Sequence, residues 1–270
     1  VAHPLVRQVT FTGSRNTGIE VMRAAARNVT SVLPELGGKS PCVVLADADI
    51  DAAVDGIIGA IYENAGQICS AATRLVVDRK VHAQVLERLV ARARALSLGH
   101  GLRCPDMGPV SSAAHLEKIT RFVDGARQRG LEIATGGHAT SDPLTGRGWF
   151  FEPTIIDNVP VNDEIAQEEI FGPVLAVQVV DGADEAVAVA NSTRFALVAG
   201  VYTRDLANAH LLARRIDAGQ VYINEYFAGG IALPFGGNRM SGFGREKGVD
   251  ALRTYMKLKS VAARIAGGQS

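Results

Sequence analysis

A cysteine sits among small residues in the stretch Gly66-Gln67-Ile68-Cys69-Ser70-Ala71. An ordinary thiol has a pKa of about 8.5 and only a small thiolate fraction at neutral pH, yet that thiolate is a strong nucleophile towards carbonyl carbon. Read locally, Cys69 is either such a nucleophile or a small buried hydrophobe; Ser70, Ala71 and Ala72 would leave room for a substrate. Glu35 follows a proline and precedes Leu36-Gly37-Gly38. Two glycines let the backbone approach a ligand or bend sharply. A carboxylate held there in apolar surroundings would have a raised pKa and could act as a general base; the alternative is a solvated loop glutamate. The run Glu168-Glu169-Ile170-Phe171-Gly172-Pro173 puts a carboxylate two residues from an aromatic, at a turn before a strand. That pair could hold a sugar hydroxyl and a flat ring, or be a charged loop whose Phe plugs the core. Near the start, a short strand leads into Gly13-Ser14 and Gly18, then a helix. Strand, glycine turn and helix present backbone N–H groups to a phosphate, although Gly13-x4-Gly18 departs from the usual dinucleotide fingerprint and also reads as a plain tight turn.

Other chemistries lack their residues. No His-Glu-x-x-His occurs, which argues against a zinc hydrolase, and no metal site is expected. No Gly-x-Ser-x-Gly elbow occurs. The histidines are scattered, and His82 and His115 read as helix-surface residues. Lys plus Arg (28) equals Asp plus Glu (28), which argues against nucleic-acid or membrane-surface binding. No apolar run approaches the roughly 18 residues of a bilayer span. Cys42, Cys69 and Cys104 are too few and too irregularly spaced for a disulfide scaffold, so a reducing, cytoplasmic setting is expected.

The elements that must position these residues follow from periodicity. Val6 to Gly13 alternates as a strand, Val29 to Leu33 reads as a second, and Cys42 to Leu45 as a buried one. Asp47 or Asp49 caps a helix whose stripe runs from Ile50 to Ile61 and which Gly66 ends. Strands are predicted at 74–77, 131–134, 149–156 (interrupted by Pro153), 174–180, 197–203 and 219–223. Helices are predicted at 81–98, 111–129, 183–192, 205–217 and 247–254. Residues 99–109, 136–148 and 224–245 read as loops, and Tyr255 to Ile265 alternates in hydrophobicity. Alternating strands and helices imply an α/β fold, a mostly parallel sheet covered by helices.

Taken in order, these blocks resemble the NAD(P)-dependent aldehyde dehydrogenase superfamily, over the C-terminal part of such an enzyme. The blocks are Phe11-Thr12-Gly13-Ser14, Glu35-Leu36-Gly37-Gly38-Lys39-Ser40-Pro41, Gly66-Gln67-Ile68-Cys69, Glu169-Ile170-Phe171-Gly172-Pro173 and Pro234-Phe235-Gly236-Gly237, followed by Ser241-Gly242-Phe243-Gly244-Arg245-Glu246. The resemblance implies that Cys69 attacks an aldehyde and Glu35 activates the water that hydrolyses the thioester. It implies that NAD or NADP is held by Gly13, Ser14 and Gly18 at the turn and helix start near the pyrophosphate, by Glu169 at the nicotinamide ribose and by Phe171 beside the ring, with Leu36 a further cofactor-binding residue. The Cys69 backbone N–H would be half of an oxyanion hole, and Glu246 would be a secondary carboxylate. Having both Cys69 and Glu35 favours hydrolysis over acyl transfer to coenzyme A.

The implied layout is a remnant of a Rossmann-like cofactor domain at 1–35, a catalytic α/β domain at 36–237, and a tail at 238–270. That tail would return to the cofactor domain and supply an arm strand, Lys257 to Ile265, for a homo-oligomer (dimer or tetramer). Residues 224–233 would border the aldehyde pocket, with Tyr226, Phe227 and Ile231 as an apolar lining. The family's Pro-Trp-Asn-Phe-Pro block, which carries the second oxyanion donor, does not occur here; in a comparable site one such donor is worth roughly 3–4 kcal/mol. The chain starts with Val1 and enters a strand almost at once, so it is expected to be a fragment, a processed product or a split subunit. Two other readings stay open: a non-catalytic interaction subunit, and an NAD-independent cysteine esterase or acyl-transferase using Cys69 and Glu35.

Overall fold

The apolar runs predicted as buried strands form the centre of the molecule in a computed structural model that describes residues 1–264. Seven strands hydrogen-bond in the order Gln220–Ile223, Val198–Tyr202, Pro41–Val44, Arg74–Asp78, Val174–Val180, Thr154–Asp157 and Glu132–Thr135. Neighbours run parallel except the last pair, where Glu132–Thr135 is antiparallel to Thr154–Asp157. Pro41–Val44 and Arg74–Asp78 are buried at every position, as a parallel sheet covered on both faces requires. Their side chains alternate between two cores. Val44 and Val77 join helices Ile50–Tyr62, His82–Ala95 and Ala113–Gln128 on one face. Val43 and Val76 join Gly182–Ala190 and Leu206–Arg215 on the other.

A smaller parallel pair, Gln8–Thr12 with Ser31–Glu35, is connected through helix Arg15–Ala26. Register places Thr12 opposite Glu35, so the strand ends of this β-α-β unit carry Gly13 and Glu35 side by side, with the Gly13 N–H donating to the Glu35 carbonyl at 3.1 Å. Gly18 makes the packing possible. A Cβ there would lie 2.5 Å from Leu36 Cδ2, so a larger residue would require the Leu36 side chain at the strand exit to shift.

Several boundaries differ from the sequence reading, each for a local reason. The second strand begins at Ser31, because Val29 takes a left-handed φ of 52° as the chain leaves the helix. Pro153 separates two strands instead of interrupting one: Phe150–Phe151 pairs with Ala139–Thr140, inside the predicted loop, while Thr154–Asp157 joins the large sheet. Asp49 caps the helix, accepting from the Ala52 N–H at 3.2 Å, whereas Asp47 accepts from Thr203 and from the N–H groups of Arg204 and Asp205. That helix stops at Tyr62, a turn before Gly66, because Asn64, Ala65 and Gly66 all take positive φ. Residues 257–264 carry no β pairing, since a strand exists only against a neighbour and this segment is exposed; Ile265 of the predicted arm lies outside the described residues. No helix among the described residues is long and apolar enough to cross a membrane.

Candidate active site

Three successive left-handed residues, Asn64 (φ 50°), Ala65 (φ 55°) and Gly66 (φ 70°), lead into Gln67-Ile68-Cys69. A Cβ on Gly66 would meet the Gly172 carbonyl oxygen at 2.2 Å. The Gln67 side chain fastens the loop, donating to the Asn64 carbonyl at 2.9 Å and to that of Pro109 at 3.3 Å, and accepting from the Ser111 N–H at 2.8 Å. Cys69 is half-buried. Burial pushes its thiol pKa up, the charges of Glu35 and Glu169 add to that, and hydrogen bonding at Ser70 opposes it.

Glu35 ends its strand with its backbone bridged to Gly242, and the next N–H, of Leu36, donates to the Ser241 carbonyl at 3.0 Å. Its carboxyl is 4% exposed, and Oε1 has no hydrogen-bond partner among the described residues. Gly236 makes room for it, since a Cβ there would lie 2.6 Å from Oε1. Burial, reinforced by the Glu246 charge and opposed by Arg245, raises the pKa of Glu35 from 4.5 to about 8. A proton acceptor of that strength beside a protonated thiol suits general-base work near neutral pH.

The Gly37-Gly38 pair explains how the separate loops meet. A Cβ on Gly37 would lie 2.1 Å from Glu169 Oε2, and one on Gly38 would lie 2.6 Å from the Cys69 carbonyl oxygen. The Gly38 N–H donates to Glu169 Oε1 at 3.0 Å. Burial raises the Glu169 pKa; that N–H bond, Lys118, Lys39 and Arg15 hold it back. Phe171 takes a left-handed φ of 63°, and its carbonyl accepts from His115 Nε2 at 2.5 Å. Ser14 caps the first helix, its Oγ accepting from the Thr17 N–H at 3.2 Å.

A cleft of about 420 Å³ gathers Gly13, Ser14, Glu35, Leu36, Cys69, Glu169 and Phe171. Gly18 is absent from its lining and lies beneath it, under Leu36. His115 and Lys118 also line it, from one face of helix Ala113–Gln128, and Lys118 Nζ donates to the Glu169 carbonyl at 3.0 Å. The reading of His115 as a surface residue is therefore corrected. His82 is corrected too, because its Nε2 pairs with the buried Asp157 at 2.8 Å. The i, i+3 spacing of His115 and Lys118 was the available signal. Lys39 went unnoticed as well. It is 1% exposed, its Nζ has no hydrogen-bond partner among the described residues, and burial, aided by the Arg74 charge, lowers its pKa to about 7. Arg74, itself fully buried, donates to the carbonyls of Lys39, Val189 and Ala190.

Cys69 also meets an apolar cluster. There it packs with Tyr226, Ala228 and Phe235 around Leu197, Val198 and Tyr222. Tyr226 stacks at 5.0 Å from both Tyr222 and Phe227 and donates its hydroxyl to the Ser70 carbonyl at 3.0 Å.

Residues 1–261 match the aldehyde dehydrogenase family. The chain is 40% identical over 272 residues to 4-trimethylaminobutyraldehyde dehydrogenase A of Danio rerio, covering 99% of this chain and 53% of that protein. It is 40% identical over 254 residues to betaine aldehyde dehydrogenase of Bacillus subtilis (strain 168), covering 94% of this chain and 52% of the other. The crystal structure of betaine aldehyde dehydrogenase from Staphylococcus aureus in complex with NAD+ superposes with a TM-score of 0.92 at 38% identity, covering 94% of this chain and 51% of that one. The chain thus spans about half the length of the curated relatives it matches.

Proposed function

The chain belongs to the aldehyde dehydrogenase family, and we propose that the protein it forms oxidises an aldehyde to a carboxylic acid with NAD or NADP, using Cys69 as nucleophile and Glu35 as base. The observation that carries this reading is the convergence of a half-buried thiol, an unpartnered buried carboxyl and a second, half-buried carboxylate on one cleft. Cys69 Sγ loses its proton to Glu35 or to water and attacks the aldehyde carbon, giving a thiohemiacetal. The Cys69 N–H faces the developing oxyanion. Once that carbon is oxidised, the resulting thioester is hydrolysed by a water whose proton Glu35 accepts.

The residues present fit a dinucleotide. The Cβ-free edge at Gly37 seats the Glu169 carboxylate in the cleft, where it would take the nicotinamide ribose hydroxyls. Gly13 and Ser14 start a capped helix beside it, a setting for the pyrophosphate. Leu36 and Phe171 would bound the ring. When bound, the nicotinamide supplies the hydride acceptor. The division into 1–35, 36–237 and 238–270 belongs to this reading, supported by the separate small sheet that ends at Glu35. So does assembly into a homo-oligomer through the tail.

The test is NAD(P)H formation by the full natural protein with a panel of aldehydes, with acid product measured alongside. Turnover that vanishes in Cys69→Ala, by at least about a thousandfold, is expected. Unimpaired oxidation by Cys69→Ala overturns the assignment.

A further inference from the structure

In the reading above the cofactor takes the cleft side of Cys69, so the aldehyde reaches Sγ from the side of Tyr226, Ala228 and Phe235. This wall also meets the base, because Gly236, next to Phe235, lies against Glu35 Oε1. The outer edge of the wall is fixed by a backbone pair: the Phe235 N–H donates to the Glu246 carbonyl at 2.7 Å and the Glu246 N–H to that of Phe235 at 2.6 Å. The next residue, Lys247, takes a left-handed φ of 58° and places Nζ 5.2 Å from the centroid of the Phe235 ring. Lys247 is exposed and has no ion-pair partner among the described residues. The adjacent carboxylate, Glu246, acts on Glu35. The Phe235 ring, which packs on the same cluster as Cys69, therefore carries on one face an ammonium that has no ion-pair partner among the described residues.

We propose that Lys247 is a specificity-determining residue. It favours aldehydes that bear an anionic group, such as a carboxylate, at the end remote from the carbonyl, and it disfavours those that bear a quaternary ammonium there. The proposal rests on aldehyde oxidation at Cys69. A quaternary ammonium group seeks an aromatic face, and here an ammonium already lies over the ring of Phe235. A carboxylate in the same place is attracted instead. One unit charge acting over several ångströms at a partly wet surface shifts relative affinity by about tenfold.

The experiment measures kcat/KM of the full natural protein for three aldehydes of matched length, one ending in a carboxylate, one in a methyl group and one in a trimethylammonio group. The methyl-ended compound is the reference for the other two. We expect the anionic aldehyde to be favoured over the cationic one by about tenfold, an advantage that shrinks as salt is raised. Lys247→Arg keeps that order, Lys247→Met brings the ratio close to one and Lys247→Glu inverts it. A preference for the cationic aldehyde, or a ratio that Lys247→Met and Lys247→Glu leave in place, overturns the proposal while turnover of the methyl-ended aldehyde preserves the underlying reading. Failure of the unchanged protein to oxidise any of the three overturns both.

Discussion

The cleft beside Cys69 is lined by ionisable groups wholly or partly withdrawn from water, whereas the cluster on which Cys69 also packs is built from aromatic rings, Tyr222 buried and Tyr226 and Phe235 half-buried. On the cleft side, Glu35 and Glu169 each have a raised pKa, and each carboxyl sits where a glycine leaves no spare volume, Gly236 against Glu35 and Gly37 against Glu169; Lys39, buried outside the cleft lining, has a lowered one. On the aromatic side, contacts are broad and mostly unspecific, and two tyrosine hydroxyls and one ammonium supply the polarity. Low-dielectric burial multiplies the effect of a charge, while ring packing spreads its contribution over many atoms. Changes on the first wall should therefore alter the chemistry sharply, and changes on the second should alter choice and rate by small factors.

Among changes that leave the thiol in place, Glu35→Gln is the largest expected break. Hydrolysis should fall by at least about a hundredfold, with the enzyme trapped as a thioester after one turnover, read as a burst of NAD(P)H and as added mass on Cys69. The same variant has a stability signature. Folded Glu35 keeps its proton to about pH 8, whereas an unfolded carboxyl loses it near 4.5. The folded state thus binds the extra proton between those values, and stability falls as pH rises through that window. Glu35→Gln should relieve a loss of a few kcal/mol, seen as a denaturation midpoint above that of the unchanged protein at pH 9 and little different at pH 4. Equal midpoints at both pH values would mean that the carboxyl is not held in its neutral form.

Gly37→Ala comes next. Its Cβ would fall 2.1 Å from Glu169 Oε2 and drive the carboxylate from its seat. Cofactor affinity should weaken by about tenfold or more in a fluorescence titration, with labelling of Cys69 by a thiol reagent largely kept. Glu246→Gln should have a smaller effect, one of position on the pH axis. The acid limb of kcat/KM, expected near pH 8 with activity rising through it, should move to lower pH, because the Glu246 charge is the second cause of the raised Glu35 pKa. Neutralising Arg245 should move that limb the other way. Tyr226→Phe should be the mildest, since it removes one hydrogen bond worth about 1 kcal/mol at most from the aromatic wall. A loss from Tyr226→Phe as large as that from Gly37→Ala would erase the distinction between the walls.

Much of the first wall was legible because its residues sit in glycine-marked blocks, and glycine before a carboxylate or a thiol signals a close approach of backbones. The buried strands were legible from β-branched runs such as Cys42-Val43-Val44. The order of the seven strands was not, because Val198–Tyr202 inserts beside Pro41–Val44 from far along the chain and no local pattern encodes that crossover. Lys39 escaped because lysine defaults to the surface; its burial comes with tertiary packing, in which the buried Arg74 donates to its carbonyl. His115 and Lys118 escaped because an amphipathic helix shows which face is apolar, not which polar residues turn towards a cleft. The helix end at Tyr62 was misplaced because left-handed backbone at Asn64 and Ala65 carries no glycine to announce it.

Gly66 and Gly172 belong to blocks about a hundred residues apart, yet the Gly172 carbonyl occupies the space that a side chain on Gly66 would need. The two blocks are thus one unit of inheritance as far as the fold is concerned. A saturation library at Gly66 should return glycine almost alone. A chimera that takes residues 60–75 from one parent and 165–175 from another should succeed only where the two parents share this backbone contact, so recombination breakpoints between the blocks have to preserve it.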